Sequence, residues 1–491
     1  MEHQDKQPIN EHHSTPAKPL QGTRGLKNRH IQLIAIAGTI GTGLFLGAGK
    51  TIAATGPSVL IAYIVIGIVM FIFLRAIGEM LYVDPSQHSF LNFITKYLGP
   101  RTGYFAQWSY WLLLVFVCIA ELSAIGMYIQ FWLPQVPLWL IEIVMLALLF
   151  GLNTLNAKWF GETEFWFAII KVAAISAMIV TAIILIAIHF HYNNTVVGGN
   201  HIVGTVSLSN ITNHFQFFPH GVMGYIGALQ MVMFAFTSME FIGMTAAETV
   251  DPRKTLPKAI NQIPVRILIF YVGALLAIMS IISWREIPVD QSPFVMVFQL
   301  IGIKWAAALV NFVVLTSAGS ALNSSLFSAT RNMYSLASQH PSKWTASFKK
   351  VSKNHIPINA LWFVGILTLF APVLSLLQNV PWIGNAFNFA SACTTNLFLI
   401  VYLLTLMTYW RFRKSPDFDP NGFKVPAYKW LIPIVMAVFS LIFISLFTHS
   451  DTLFPAIGAV VWTVVFAIIL FINYVRDIDH RLTKLENTKE S

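Results

Sequence analysis

Charged residues are scarce in this chain of 491 residues. Asp, Glu, Lys and Arg together make up 11% of it, against roughly 25% in a typical globular protein. Hydrophobic residues make up 56%. Apolar runs of about 20 residues recur along the sequence, and each is long enough to cross the hydrocarbon core of a bilayer as a helix. The composition therefore excludes a soluble protein and indicates an integral membrane protein.

Several signatures of catalysis are also missing. The sequence contains no H-E-x-x-H motif, no phosphate-binding P-loop and no G-x-S-x-G nucleophile elbow. The fourteen histidines fall in tails, loops or the ends of apolar runs, so we expect no metal site and no cofactor. Cys118 and Cys393 lie inside apolar runs, where packing is a more common role than a disulfide. These absences disfavour a polytopic membrane enzyme and ATP-driven transport.

The net charge of +10 does not predict nucleic-acid binding. The positive residues stand in short clusters between apolar runs and form no continuous basic stripe. The first 30 residues are polar and lack the apolar core of a cleavable signal peptide. We expect no nucleic-acid partner, and we expect the first apolar run to act as its own insertion signal.

The apolar runs and their polar boundaries predict an all-α membrane protein with twelve transmembrane helices. The predicted spans are 31–50, 57–80, 103–132, 138–157, 165–190, 223–246, 264–284, 305–335, 357–377, 383–409, 428–447 and 453–474. They divide the chain into a tail at 1–30, five spans at 31–190, five spans at 223–409, two spans at 428–474 and a tail at 475–491.

The positive residues predict the orientation. Alternate connecting segments carry clusters such as Arg253, Lys254 and Lys258, whereas the opposite loops offer only Lys50, Arg285 and Lys304. Positive charges resist translocation, so the rich side is expected to be cytoplasmic. The sequence therefore predicts a multi-pass protein of the cell membrane, surrounded by lipid, with both termini in the cytoplasm.

The middle of the first predicted span is rich in poor helix formers. Three glycines and two threonines fall within six residues, namely Gly38, Thr39, Gly41, Thr42 and Gly43. One interpretation is close helix packing through small residues. The other is an interrupted helix, whose free amides bind an anionic group and whose free carbonyls bind a cationic one.

The sixth predicted span contains a second interruption. Phe236, Thr237, Ser238 and Glu240 break an otherwise apolar run with small, polar and charged residues. The first and sixth spans occupy corresponding positions if spans one to five and six to ten form two inverted halves. Such a pair of interrupted helices predicts a substrate site near the middle of the membrane.

A few charged residues fall inside predicted spans, where an unpaired charge is costly. For Glu121, Lys171 and Glu240 we favour a functional role over a structural one, and we expect Glu121 to be uncharged. For Arg75 and Glu79 a local salt bridge across one helical turn is favoured. The eighth span is polar on one side and includes Ser317 and Ser320, which could also serve only to hold neighbouring helices together.

Long motifs resemble those of a known family. Residues Arg24 to Gly49 (RGLKNRHIQLIAIAGTIGTGLFLGAG), Phe160 to Ala168 and Thr245 to Glu248 are similar to bacterial permeases of the amino acid–polyamine–organocation superfamily. Within it, the stretches 259–264, 292–295 and 311–318 look like carriers of serine, alanine and glycine, above all the L-serine permeases of lactic acid bacteria. The resemblance implies a LeuT-like five-plus-five inverted repeat, two extra C-terminal helices and proton-coupled uptake.

The resemblance also implies roles for individual residues. Gly41, Thr42 and Gly43 would bind the substrate carboxylate, and carbonyls near Gly38, Thr39 and Phe236 would bind its ammonium. Phe236 would close over the side chain, Glu121 would border its pocket, and Lys171 would stand where a sodium-coupled relative holds its ion. Thr237, Glu240 and Ser320 complete the predicted site.

The substrate prediction leaves alternatives open. The D-serine, D-alanine and glycine carriers have aspartate at the position of Glu121, whereas permeases for aromatic and other L-amino acids share the glutamate. L-serine and related small neutral amino acids are therefore favoured over D-amino acids, and an aromatic substrate stays possible. A passive channel or a nutrient sensor is less favoured, and we expect a monomer or a weak homo-oligomer.

Overall fold

The computed structural model describes residues 40–489, apart from 88, 156–157, 198–199, 214, 248–250, 290, 340–344, 353–355 and 381. Gly38 and Thr39 of the predicted site therefore lie outside the described residues. The helices are α1 Thr42–Phe45, α2 Gly47–Thr55, α3 Val59–Val83, α4 Phe90–Leu98, α5 Pro100–Gln130, α6 Leu138–Leu155, α7 Lys158–Ala187, α8 Ser209–Thr212, α9 Gly221–Ala235, α10 Glu240–Ala247, α11 Pro252–Asn261, α12 Ile263–Arg266, α13 Ala274–Ile281, α14 Pro293–Leu300, α15 Lys304–Gln339, α16 Ile358–Thr368, α17 Phe370–Leu376, α18 Ala386–Phe412, α19 Tyr428–Ser445 and α20 Ser450–Lys489. A π-helical stretch, Ile267–Gly273, joins α12 to α13.

Ten helical segments of the described chain are long and apolar enough to cross a membrane. They are Gly47–Val83, Pro100–Gln130, Trp166–Ala187, Gly221–Met244, Pro252–Ile281, Trp305–Gln339, Ile358–Leu376, Ala386–Phe412, Tyr428–Ser445 and Ser450–Ile472, and Leu138–Asn153 is a shorter apolar helix. The first predicted span, 31–50, is described only from residue 40. The protein is thus a helical multi-pass membrane protein, and the count of twelve and the inverted repeat stay predictions.

The all-α prediction was wrong in one segment. Strands β1 (His191–Val197) and β2 (Asn200–Thr205) pair antiparallel between α7 and α8. β-branched residues such as Val196, Val197 and Ile202 favour this extended conformation, but the two strands are too short to stand out against the apolar spans. The end of the helix bundle that carries this hairpin is called the hairpin end below.

Local sequence signals begin the longest buried helices. α5 starts after Gly99, whose φ of 96° favours glycine, and Pro100 takes its first helical position, where no amide donor is needed. α18 starts after Asn385, whose side chain accepts hydrogen bonds from the amides of Phe387 and Asn388 at 2.9 and 3.3 Å. These signals determine where α5 and α18 begin.

The core of the bundle surrounds α5, which packs along both α15 and α18. Cys118 and Cys393 are buried there and free. The outer helices instead expose apolar side chains: on α6, Val144, Leu148 and Leu152 follow one another at helical spacing and are each more than half exposed. An exposed apolar face of this kind is typical of a helix that contacts lipid.

Candidate functional site

The sixth span is broken where the sequence predicts. α9 ends at Ala235, residues 236–239 form a turn, and α10 begins at Glu240. Ser238 takes a positive φ of 70°, which is uncommon for a residue with a side chain. The Thr237 hydroxyl donates to the Phe234 carbonyl at 2.6 Å, and the Thr237 amide donates to the same carbonyl at 3.0 Å in a tight turn. The break therefore interrupts the regular helical hydrogen bonds in the middle of the sixth span.

The described part of the first span meets this break directly. Gly41 is extended, with φ −127° and ψ −166°, and α1 begins only at Thr42. A Cβ atom added to Gly43 would lie 2.5 Å from the Cα and 2.8 Å from the amide nitrogen of Ala235. Only a glycine permits this backbone-to-backbone approach. The two interrupted regions, separate in sequence, therefore lie against each other.

Glu121 of α5 borders the same place. The Thr42 hydroxyl donates to Glu121 Oε1 at 2.9 Å, and the carboxyl group is almost fully buried. Its second oxygen, Oε2, has no hydrogen-bond partner in the described chain. A Cβ atom added to Gly41 would stand 3.8 Å from Oε1, at ordinary contact distance. The structure thus brings Gly41, Thr42, Gly43 and Glu121 together.

Lys171 and the eighth span lie behind the first span. Lys171 is 3% exposed in the middle of α7, and its ammonium group lies within electrostatic range of the Glu121 carboxyl group. The Ser317 hydroxyl of α15 donates to the Ile40 carbonyl at 3.4 Å, and Ser320 one turn later is also buried. α15 is therefore tied to the backbone that leads into α1.

Phe236 is fully buried in an aromatic stack. Its ring lies 4.9 Å from that of Tyr271 at an angle of 7° and 5.9 Å from that of Tyr63. The Tyr271 hydroxyl donates to the Ala235 carbonyl at 3.0 Å, directly before the break. The ring predicted to cover a substrate is thus held by two tyrosines that the sequence analysis did not identify.

Glu240 is engaged by two other tyrosines. The Tyr110 hydroxyl donates to Oε1 at 3.0 Å, and the Tyr402 hydroxyl donates to Oε2 at 2.6 Å. This pair connects α10 to α5 and α18 and satisfies both oxygens of a buried carboxyl group. In the structure, Glu240 connects helices. Its contact with substrate stays a prediction.

A cavity of about 440 Å³ lies next to the first span, toward the hairpin end of the bundle. Its apolar lining includes Leu46, which directly follows α1, together with Met127 and Met296. Its polar lining is uncharged and consists of Gln130, Gln291, Ser292, Gln299, Asn311 and Tyr128. The cavity offers hydrogen bonds to a neutral molecule without favouring either sign of net charge.

The opposite end is closed by a buried ion pair. Glu79 Oε1 lies 3.0 Å from an Arg413 nitrogen, Oε2 accepts from the Tyr409 hydroxyl at 2.6 Å, and both charged side chains are at most 6% exposed. The predicted local pair of Arg75 with Glu79 was wrong. Arg75 instead donates to the Lys424 carbonyl and to Asn261, because the 413–427 segment folds back over α3.

Removal of Arg413 is expected to destabilise the protein. In Arg413→Ala a buried Glu79 carboxylate loses its cation, a change that typically costs about 3–5 kcal/mol. The thermal midpoint of the purified protein in detergent should therefore fall by several degrees. Arg411→Ala is the matched control, because Arg411 is exposed and, within the part of the chain that the structure describes, donates to the Tyr97 carbonyl and not to a carboxylate. Equal midpoints for the two variants would contradict a stabilising role of the pair.

The described residues contain no group of three or more His, Cys, Asp and Glu side chains that could hold a metal ion. The groups brought together at the two breaks are backbone amides and carbonyls, hydroxyls and the Glu121 carboxyl group. Such groups can bind and release a small zwitterion.

Comparison with known proteins gives the family. The amino acid permease family model matches residues 30–482. The chain is 70% identical to the serine permease SerP1 of Lactococcus lactis over 91% of its own length and 97% of the relative's. It is 61% identical to the DL-alanine permease SerP2 of the same organism, over 93% and 96% of the two lengths. It is 40% identical to the D-serine/D-alanine/glycine transporter of Escherichia coli, over 87% and 89%.

These matches confirm the resemblance that begins at Arg24–Gly49, and they span the breaks, Glu121 and Lys171. The relatives are transporters and not enzymes, in agreement with the absence of catalytic motifs from the sequence. The chain therefore belongs to the amino acid permease family.

Proposed function

We propose that this permease takes up L-serine and related small neutral amino acids (threonine, alanine, glycine and cysteine) across the plasma membrane, coupled to protons. The observation that carries the proposal is the 70% identity, over nearly the whole of both chains, to a protein named a serine permease. The uncharged lining of the cavity beside Leu46 supports a neutral substrate.

The proposed binding mode uses the two breaks. Free amides at Gly41–Gly43 receive the substrate carboxylate, because the start of a helix favours an anion. Carbonyls near Gly38, Thr39 and Phe236 receive the ammonium group. Glu121, which the Thr42 hydroxyl already contacts at 2.9 Å, borders the side chain and offers a hydrogen bond to a hydroxyl group.

The proposed architecture has twelve spans, of which the first ten form two inverted halves and the last two are additional. The ten apolar segments of the described chain and the shorter helix Leu138–Asn153 support this number. The contact between Gly43 and Ala235 supports the pairing of spans one and six. The distribution of positive residues supports a cytoplasmic location of both termini.

Competition for L-serine uptake tests the substrate class. We expect unlabelled serine, threonine and alanine to compete strongly and tryptophan, lysine and glutamate weakly, because the pocket beside Glu121 suits a small polar side chain. The measurement is uptake of labelled L-serine into proteoliposomes, with and without an imposed pH gradient. Strongest competition by tryptophan would instead identify an aromatic amino acid permease.

A second candidate function is uptake of alanine in both stereochemical forms. The 61% identity to a DL-alanine permease and the 40% identity to a D-serine/D-alanine/glycine transporter favour it. The same assay separates the candidates when D-alanine and D-serine are added to the panel. Competition by the D-forms as strong as that by L-serine would support the second candidate.

A further inference from the structure

A buried carboxyl group that the proposed site does not use lies between three helices. Glu142 stands in the second turn of α6 and is fully buried. The Ser375 hydroxyl of α17 donates to its Oε1 at 2.7 Å, whereas its Oε2 makes no hydrogen bond of normal geometry in the described chain, although the Ser123 hydroxyl of α5 lies near the carboxyl group. A buried polar atom without a partner is uncommon in a native structure and asks for an explanation.

No cation accompanies this carboxyl group within the described residues. α5 brings Ser123 and Gly126 against it, and a Cβ atom added to Gly126 would lie 3.2 Å from Glu142 Cγ. Apart from Lys304 at the start of α15, whose side chain lies outside the described part, the titratable and charged groups of the helices around α6 at this level are Cys118, Glu121 and Tyr128 of α5, with Arg331 and Tyr334 further along α15 and none on α16 or α17. None of these is an ion-pair or hydrogen-bond partner of Glu142.

The carboxyl group lies next to water-accessible space. A cavity of about 330 Å³ opens at the hairpin end and is lined by residues 130 and 134–139 together with Ser375, Leu376 and Gln378. Ser375 therefore both lines this cavity and donates to Glu142. Leu138, another lining residue, lies one helical turn before Glu142. Ser375 thus connects the wall of the cavity to a buried carboxyl group.

We propose that Glu142 is a proton-binding site that is loaded from this cavity through Ser375 and contributes to the coupling of uptake to protons. A hydronium ion in the cavity passes a proton to Ser375 Oγ while Ser375 passes its own to the Glu142 carboxylate. The products are water, an intact serine and a neutral carboxylic acid. Release of the proton reverses these transfers.

A link to the substrate site runs through α5. A neutral Glu142 is compatible with its apolar surroundings, whereas the carboxylate draws hydroxyl groups toward it. Ser123 is the nearest hydroxyl on α5 and lies two residues from Glu121, which contacts the first break. A change in the charge of Glu142 therefore acts on the helix that positions Glu121. Such a group biases one conformational state over another only if its proton affinity differs between them.

The inference rests on the proposed proton coupling. The experiment therefore measures, in proteoliposomes, both the coupling of the wild type and the effect of Glu142 on it. A gradient of one pH unit can sustain roughly tenfold accumulation of serine at one proton per substrate. We expect the wild type to approach this ratio when the outside is acidic, and Glu142→Gln to approach equal concentrations on both sides. Exchange of labelled against unlabelled serine, which needs no net proton movement, should stay close to that of the wild type.

Three further variants sharpen the test. Glu286→Gln removes an exposed carboxylate from a loop at the hairpin end and should accumulate serine like the wild type. Ser375→Ala keeps the carboxyl group and should slow the rise of accumulation without lowering its final value. Glu142→Asp keeps a titratable group and should retain coupling in part, with a changed dependence of uptake on outside pH.

An infrared difference spectrum between two pH values gives a readout that does not depend on transport. The wild type should show a protonated carboxyl band that responds to outside pH and shifts in Glu142→Asp, even if Glu142→Gln inserts poorly. Full accumulation and an unchanged pH profile in Glu142→Gln would overturn the inference and leave the proposed function standing. Absence of gradient-driven accumulation in the wild type would overturn the proposed coupling and this site with it.

Discussion

Gly43→Val is expected to abolish uptake while the protein still inserts into the membrane. Even the first atom of a side chain at this position would lie 2.5 Å from the Cα of Ala235 and 3.1 Å from the Phe234 carbonyl carbon. Those are backbone atoms, so no rotation of a side chain relieves the overlap. The two breaks must move apart, and the amides and carbonyls proposed to bind the substrate then no longer face one site.

Transport and insertion are measured separately for this variant. Transport is measured as uptake of labelled L-serine, and insertion is measured as abundance of the protein in the membrane. Gly458→Val is the matched control, because Gly458 is exposed on α20 and has no atom within 4 Å of an added Cβ. It should transport normally.

A comparison with Gly41→Ala separates packing from ligand access. An added Cβ at Gly41 meets only Glu121 Oε1, at 3.8 Å, and the extended backbone there suits any residue. Gly41→Ala should therefore fold normally and weaken serine binding by narrowing the space beside Glu121. Wild-type kinetics in Gly43→Val would remove the substrate site from this position.

The breaks could be predicted from the sequence because they violate a strong expectation. Glycine, threonine and a carboxylate in the middle of an apolar run disfavour a continuous helix in lipid, and the structure has the sixth break at residues 236–239. The contact of Gly43 with Ala235 could not be predicted, because it depends on how two distant helices cross. The glycines of the first span are compatible with both ligand access and close helix packing, and at Gly43 the backbone of Ala235 packs closely.

The partners of buried polar groups were the least predictable feature. Arg75, one turn from Glu79, appeared to be its natural partner, but Arg413 occupies that place from 334 residues further along the chain. Tyr110 and Tyr402 hold Glu240 although nothing in their local sequence distinguishes them from other tyrosines in apolar runs. Glu142 was overlooked because it stands near the start of a predicted span, where a charge commonly reaches the membrane surface.

Lys171→Ala is expected to lose gradient-driven accumulation while exchange of serine between equal pools survives in part. Lys171 is 3% exposed in the middle of α7, where a charge is costly without compensation. The Lys171 ammonium group lies within electrostatic range of the Glu121 carboxyl group, and that carboxyl group accepts a hydrogen bond from Thr42 at the first break. The ammonium group is thus linked electrostatically to the proposed substrate site.

The proposed role is that of a fixed cation between the first and eighth spans. In a sodium-coupled relative an ion would take this place, and here the Lys171 ammonium would replace it. Ser317 already joins α15 to the first span through the Ile40 carbonyl, Ser320 is a second candidate acceptor, and the carbonyls of Ala37 and Gly38 lie outside the described residues. Loss of the Lys171 proton would release this connection, so protonation would bias the outward-open and inward-open states differently, as coupling requires.

Proteoliposomes that contain Lys171→Ala separate this role from a structural one. With one pH unit across the membrane, accumulation should fall from as much as roughly tenfold in the wild type to nearly equal concentrations. Lys429→Ala removes an exposed lysine at the start of α19 and should keep full accumulation. If Lys171 served only for stability, both exchange and accumulation would fall together with the amount of folded protein. Full accumulation in Lys171→Ala would refute the coupling role, and dependence of wild-type uptake on sodium would refute the idea that this ammonium group replaces the ion.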